Sequence, residues 1–216
     1  MLLQLASPAL PVGAFAYSQG IERAVEDGLI RDADEARAWI FDVLAGPMTH
    51  WEVPLWLRMY RAVLSGDRAG FLQWNERFVA SRETGEQRAE ALQMGASLAV
   101  WACDLGLDVG RTLRATPGLS FTAGFAACAA SSDIDENEGA VAYVWSWIEN
   151  QATAAIKAVP IGQIAAQRLL LAAHAPVRDA VRTAAELDDD SLHSAAPGLA
   201  ITCARHETQY SRLFRS

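Results

Sequence analysis

The sequence predicts an all-α protein: a single-domain helical bundle of about nine or ten helices over residues 1–216. Three observations carry that expectation. Alanine and leucine dominate while alternating β-branched runs are nearly absent, a balance that favours helix by intrinsic propensity. Capping signals recur ahead of apolar-periodic stretches. Hydrophobic residues make up 51% of the chain and mean hydropathy is +0.08, so 216 residues hold ample material for one core without requiring two domains.

The elements follow in order. Residues 1–17 read as a lead-in containing proline and glycine, and "SPALPVGAFAYSQGIE" (7–22) ends it abruptly at Glu22. Ser18 occupies an N-cap-like position, with Glu22 in the second turn of the helix it starts. Asp32 with Glu35, and Thr49 with Glu52, read as capping boxes, in which the first side chain accepts from an amide and the Glu reaches back. Gly46 and Pro47 read as a stop between them. Pro54 inside the next helix predicts a local bend, since it removes a backbone donor.

Further helices are expected at about 67–81, 84–105, 119–131, 137–158, 161–173 and 176–187. In the second of these, Ala89, Leu92, Met94, Ala96, Leu98, Ala99, Trp101 and Cys103 form a broad apolar face, with Gly106 as the stop. "EGAVAYVWSWIENQATAAIKAVPIGQ" is apolar on nearly all sides, which places its helix at the centre of a bundle or at a buried interface. Pro160 and Gly162 interrupt it before the chain resumes as helix. The glycines of "DVGRT" and "TPGLSFTAGF" read as turns, and Asp188, Asp189 and Asp190 as a surface turn or helix start. The end, "RHETQYSRLFRS" (205–216), placed on a helix, puts Tyr210, Leu213 and Phe214 on one face.

Composition removes several classes of function. A formal charge of −8 argues against nucleic acid, because phosphate binding needs a basic face. No stretch approaches the roughly 20 apolar residues that span a bilayer; the richest, 119–130, is broken by Ser120, Thr122 and Gly124. The first residues lack a basic n-region, so they are not read as a signal peptide. Cys103, Cys128 and Cys203 are an odd set with long gaps, which is no disulfide framework and fits a reducing cytoplasm.

Chemistry-bearing patterns are sparse. Ser18, His206 and Glu207 name a catalytic triad only on paper, since no G-x-S-x-G elbow supports it. No G-x-x-x-x-G-K-[ST] loop is present. Cys203 and His206 would share a helix face, as a small buried cysteine beside an exposed histidine; two ligands do not make a metal site, although two such pairs across a two-fold axis would supply four. Catalytic residues, a metal site and a cofactor are therefore not expected.

Two features suit a partner surface. Lys157 is a lone charge in "ATAAIKAVPIGQ", which implies a carboxylate partner, a protein-facing surface, or a lysine snorkelling from a helix end. The tail sets Arg205, His206, Arg212 and Arg215 beside Tyr210, Leu213 and Phe214, the residue types that anchor interfaces. Both a tail docked on its own domain and a tail that docks a partner fit that composition.

Taken together, "SPALPVGAFAYSQGIE", "IKAVPIGQ" with Gln167, and "RHETQYSRLFRS" resemble three motifs of the urease accessory protein UreF family, spread over nearly the whole chain. The first begins almost at Met1, a shorter start than the family leads one to expect. The resemblance implies an all-α, homodimeric, non-enzymatic maturation factor of the cytoplasm. Family members bind UreD (also called UreH), dock with it on apo-urease, and recruit the GTPase UreG for GTP-dependent insertion of nickel. It further implies that Glu22 and Lys157 are tied to UreG coupling, that Pro160 and Gly162 belong to the central motif, and that His206, Glu207, Tyr210, Arg212, Leu213, Phe214 and Arg215 engage partners. An adaptor is the leading reading. A regulator that activates GTP hydrolysis by UreG is the alternative, and a nickel carrier using Cys203 and His206 ranks last because ligands are not clustered.

Overall fold

Eleven α-helical segments and no strand make up the computed structural model, which describes residues 1–216. In chain order they are α1 (Leu2–Leu5), α2 (Ile21–Glu26), α3 (Ala33–Val43), α4 (Val53–Ser65), α5 (Arg68–Ala80) and α6 (Gly85–Asp104). There follow α7 (Gly110–Arg114), α8 (Phe121–Ser131), α9 (Glu136–Ala158), α10 (Gln163–Glu186) and α11 (Pro197–His206). Single 3₁₀ turns lie at Ala14–Ala16 and Asp189–Ser191, the latter capped by Asp188, so the acidic run is the surface turn expected of it.

Side-chain caps fix many of the helix starts. Asp32, Asp67, Thr84, Ser120 and Asp135 each accept hydrogen bonds from first-turn amides of α3, α5, α6, α8 and α9. Each satisfies donors that the helix itself leaves unpaired. The Asp32 box is shifted by one residue, because Glu35 accepts from the Arg31 amide at 2.8 Å.

Several local expectations are overturned. Thr49 and Glu52 form no capping box: the chain runs through Leu44–Glu52 as a π-helix, and Thr49 Oγ1 donates back to Leu44 O at 2.6 Å. Glu52 instead pairs with Arg82 at 2.7 Å. The stop expected at Gly46–Pro47 is present as a kink: Gly46 (φ −90°, ψ −107°) leaves helical geometry, and a new run of helix begins after it. Pro54 stands at the start of α4, where the π-helical run gives way to α-helix, and Val53 N just before it still donates to Met48 O. "DVGRT" contributes α7 rather than a turn. The helices expected at 161–173 and 176–187 are one helix, α10, with Pro176 inside it. Ala166, Leu169, Ala173, Val177, Ala180 and Ala184 form one uninterrupted buried stripe across the proline, and that packing outweighs the lost hydrogen bond.

The apolar-on-all-sides helix is central, as its pattern required. α9 packs against α10, α2, α4, α8, α1 and α3. Its Gly139 lets Trp56 of α4 lie flush, since a Cβ there would stand 2.8 Å from the indole ring. Trp56, Tyr60, Phe125 and Tyr143 then pack ring on ring in the middle of the core. On α6 the buried line is Glu90, Ala91, Met94, Gly95, Leu98, Ala99 and Ala102; Ala89 and Ala96, expected on it, face solvent. No helix is long and apolar enough to cross a membrane.

Candidate functional site

The two ends of the chain are interlocked at one end of α9. A turn with φ +51° at Gln19 and +90° at Gly20 turns the lead-in into α2, and the second value favours glycine. Against that turn, Ser216 O accepts from Ser18 N (2.8 Å), Gln19 N (3.2 Å) and Ser18 Oγ (2.6 Å), and Arg215 N donates to Ala16 O (2.8 Å). The hydroxyl of Ser18 also accepts from Glu22 N at 3.3 Å, so it does cap the start of α2, though Gly20 is the N-cap residue. Glu22 lies in the first turn of α2, not the second, and is 7% exposed.

The helical reading of the tail is overturned. Beyond His206 the segment leaves the helix, because Leu213 N and Phe214 N donate to the two carboxylate oxygens of Glu22, at 2.5 and 3.0 Å, instead of to preceding carbonyls. Tyr210 and Leu213 therefore point outward, the latter 72% exposed, while Phe214 is 6% exposed and joins the core.

His206, expected to be exposed, has no solvent-accessible surface. Its Nδ1 lies 2.7 Å from Glu86 Oε2 and its Nε2 lies 3.1 Å from Glu22 Oε2. Arg212 pairs with the other oxygen of Glu86, and Arg205 pairs with Asp27 at 2.7 Å. Glu207 Oε1 accepts from Glu86 N at 3.1 Å and so caps α6 from the tail. Ser18, His206 and Glu207 thus make no hydrogen bond to one another, and no nucleophile–base pair exists among them. Cys203 is buried, accepts from Gln87 Nε2 at 3.3 Å, and has its thiol pushed up to about 12 by burial and by nearby Glu90. A thiol held neutral is a poor metal ligand. No group of three or more His, Cys, Asp or Glu side chains stands ready to hold a metal.

A second polar cluster adjoins the first. Glu90 of α6 accepts from Gln19 Nε2 (2.6 Å) and from Ser216 Oγ (2.8 Å). Gln19 Oε1 in turn accepts from Trp147 Nε1 of α9 at 2.6 Å. Burial pushes the Glu90 carboxyl up to about 7.

Lys157, at the last turn of α9, is exposed and has no carboxylate partner. Its ammonium stands 5.8 Å from the Phe15 ring centroid and 5.6 Å from that of Phe214. Two aromatic faces and the negative end of the helix dipole take the place of the counter-ion. The structure thus gathers Lys157, Phe214 and Phe15, which is 66% exposed, into one patch, with Leu213 outward beside Phe214. Pro160, Gly162, Tyr210 and Arg215 are exposed, the first two in the link to α10. Phe15, Gln19, Glu86 and Glu90 complete the site and were not singled out in the sequence. Glu90 was nonetheless readable, as a carboxylate in register with the buried Met94 and Leu98.

A family model described as UreF matches residues 30–174. The chain belongs to the UreF family. Curated relatives described as urease accessory protein UreF match its whole length. The one from Delftia acidovorans is 46% identical, with 100% of this chain and 95% of the relative aligned. One from an Azoarcus species is 48% identical over 100% and 94%, and one from Methylobacillus flagellatus 44% identical over 100% and 96%. UreF membership makes the chain an accessory factor of urease maturation and not an enzyme. Both interlocked ends lie outside the span of the family model, within the length shared with the UreF relatives.

Proposed function

We propose that this protein acts as an adaptor in urease maturation: with UreD/UreH it docks on apo-urease and recruits the GTPase UreG for GTP-dependent nickel delivery, in the cytoplasm and as a homodimer. The observation that carries this is the convergence of three separate motifs on one surface. Phe15 from the lead-in and Lys157 from the end of α9 meet over the buried Phe214 of the tail, which separately exposes Leu213 and Tyr210, so that all three motifs offer or support aromatic, aliphatic and cationic groups of the kind that anchor protein interfaces. Arg215 adds an exposed guanidinium to the same segment, suited to a partner carboxylate, whereas Arg212 is already paired with Glu86. Pro160 and Gly162 hold the α9–α10 link beside Lys157 in sequence.

The test is co-elution of the full chain with UreD and UreG on a sizing column, with light scattering for the oligomeric state. A Tyr210→Ala, Leu213→Ala variant is expected to lose the three-protein complex while remaining a folded dimer. An intact complex formed by that variant would overturn the assignment of this surface. The alternative, a direct stimulation of GTP hydrolysis by UreG, predicts a rise in hydrolysis on adding this protein alone.

A further inference from the structure

We infer that Glu22, His206 and Glu86 form a buried carboxylate–imidazolium–carboxylate chain that positions the C-terminal segment, so that all three act on a partner only through the shape they give the tail. The inference rests on the docking reading above and concerns the shape of the segment before any partner arrives.

The geometry of His206 is the starting point. A neutral imidazole carries one N–H. Here both ring nitrogens face carboxylate oxygens, Nδ1 at 2.7 Å from Glu86 and Nε2 at 3.1 Å from Glu22. A neutral ring would satisfy one contact and set lone pair against lone pair at the other, in a place with no solvent exposure. The doubly protonated ring donates to both. Surrounding charges agree with that state. Glu22 comes from α2, Glu86 from α6 and Arg212 from the tail, while Arg205 is already paired with Asp27 and the Cys203 thiol is held neutral. Two carboxylates against one imidazolium and one guanidinium leave no net charge. A neutral ring would balance only if a carboxyl took the proton instead, against the two amides that donate to Glu22 and the guanidinium that faces Glu86, both of which favour the ionised carboxylates.

Glu22 then acts as a template. With His206 fixed on one side, its two oxygens accept from consecutive amides, Leu213 N and Phe214 N. Both amides are spent on the Glu22 carboxylate rather than on preceding carbonyls, in the manner of a backbone nest around an anion, and in the segment so held Phe214 is buried beneath Lys157 while Leu213 is exposed. An amide at position 22 has only one acceptor oxygen, and its NH₂ group would face another donor.

The test uses the full chain without partners. Nitrogen NMR of the folded protein is expected to show two protonated ring nitrogens on His206. Hydrogen exchange at the Leu213 and Phe214 amides is expected to be slow in the parent and to accelerate by about tenfold or more in Glu22→Gln, with the α9 amides unchanged. Glu22→Asp, which keeps the carboxylate, should restore part of the protection. Should Glu22→Gln fail to fold, Glu86→Gln at the partly exposed end of the chain reads the same device, expected to cost His206 its second N–H. A singly protonated ring in the parent, or unchanged exchange at both amides in a folded Glu22→Gln, would overturn the inference. Loss of UreD or UreG capture with tail protection intact would count against the docking reading instead.

Discussion

Glu90 and Lys157 show how much a single charged side chain owes to its surroundings. Glu90 is 6% exposed and its carboxyl is raised from its ordinary 4.5 to about 7, chiefly by burial. The folded protein therefore takes up a proton that the unfolded chain has already released, and the associated stability is full below about 4.5 and lost as pH rises through about 7. Glu90→Gln mimics the protonated form at every pH. Thermal melts from pH 5 to 8 should show the variant gaining on the parent, by at most about 3 kcal/mol; parallel curves would mean that Glu90 does not titrate in this range. Lys157→Ala removes an exposed ammonium held only by two rings. Its melting free energy should shift by about 1 kcal/mol or less, while capture of UreG in the presence of UreD should fall. Unfolding of the variant would show that the ammonium is structural and would sink its partner role.

Among the elements, α6 keeps the bounds its cap and stop glycine predict, while α10 runs on through a proline, and both invite a substitution. A Cβ on Gly95 would stand 2.1 Å from Leu119 O and 2.7 Å from Ser120 C. That backbone cannot retreat easily, because Asn75 grips it through Gly118 O and Ser120 N, both at 2.9 Å. Gly95→Ala should therefore destabilise by at least about 2 kcal/mol in urea titrations, despite alanine's better helix propensity. An unchanged midpoint would place α6 and α8 further apart than described. Pro176 is the reverse case: it breaks the backbone ladder of a helix whose buried stripe runs straight through it. Pro176→Ala restores the donor and should raise stability, by no more than about 3 kcal/mol. A fall in melting temperature would show that the proline shapes α10 in a way packing needs.

Across the whole molecule, the tail closes the fold while presenting part of itself to solvent. Removing Tyr210–Ser216 would strip Glu22 and Glu90 of buried partners as well as remove the proposed docking surface, so it cannot separate the two roles. Single residues can. Leu213→Ala should leave unfolding within about 0.5 kcal/mol of the parent yet weaken assembly with UreD and UreG. Phe214→Ala should lower stability by about 3 kcal/mol and loosen the lead-in, since Arg215 and Ser216 hold residues 16–19. Denaturant unfolding and co-elution measure both. Equal stability losses from the two variants would mean that the tail is not split into an inward and an outward side.

The sequence by itself determined the helical class, the central place of α9 and the extents of α5, α8 and α9 to within a residue or two, because apolar periodicity and side-chain caps act over a few neighbours along the chain. It also marked Lys157 and the tail as unusual, since an isolated charge among apolar residues and an aromatic–arginine mixture are local patterns, whereas Glu22 stood out only through the family resemblance. Only the tertiary structure decided that Pro176 lies within a helix, that the tail leaves the helix after His206, and that His206 is buried between Glu22 and Glu86. Each of those outcomes depends on partners more than 100 residues away or on a stripe packed against another helix. A propensity worth a fraction of a kcal/mol per residue yields to such contacts once the chain has closed on itself.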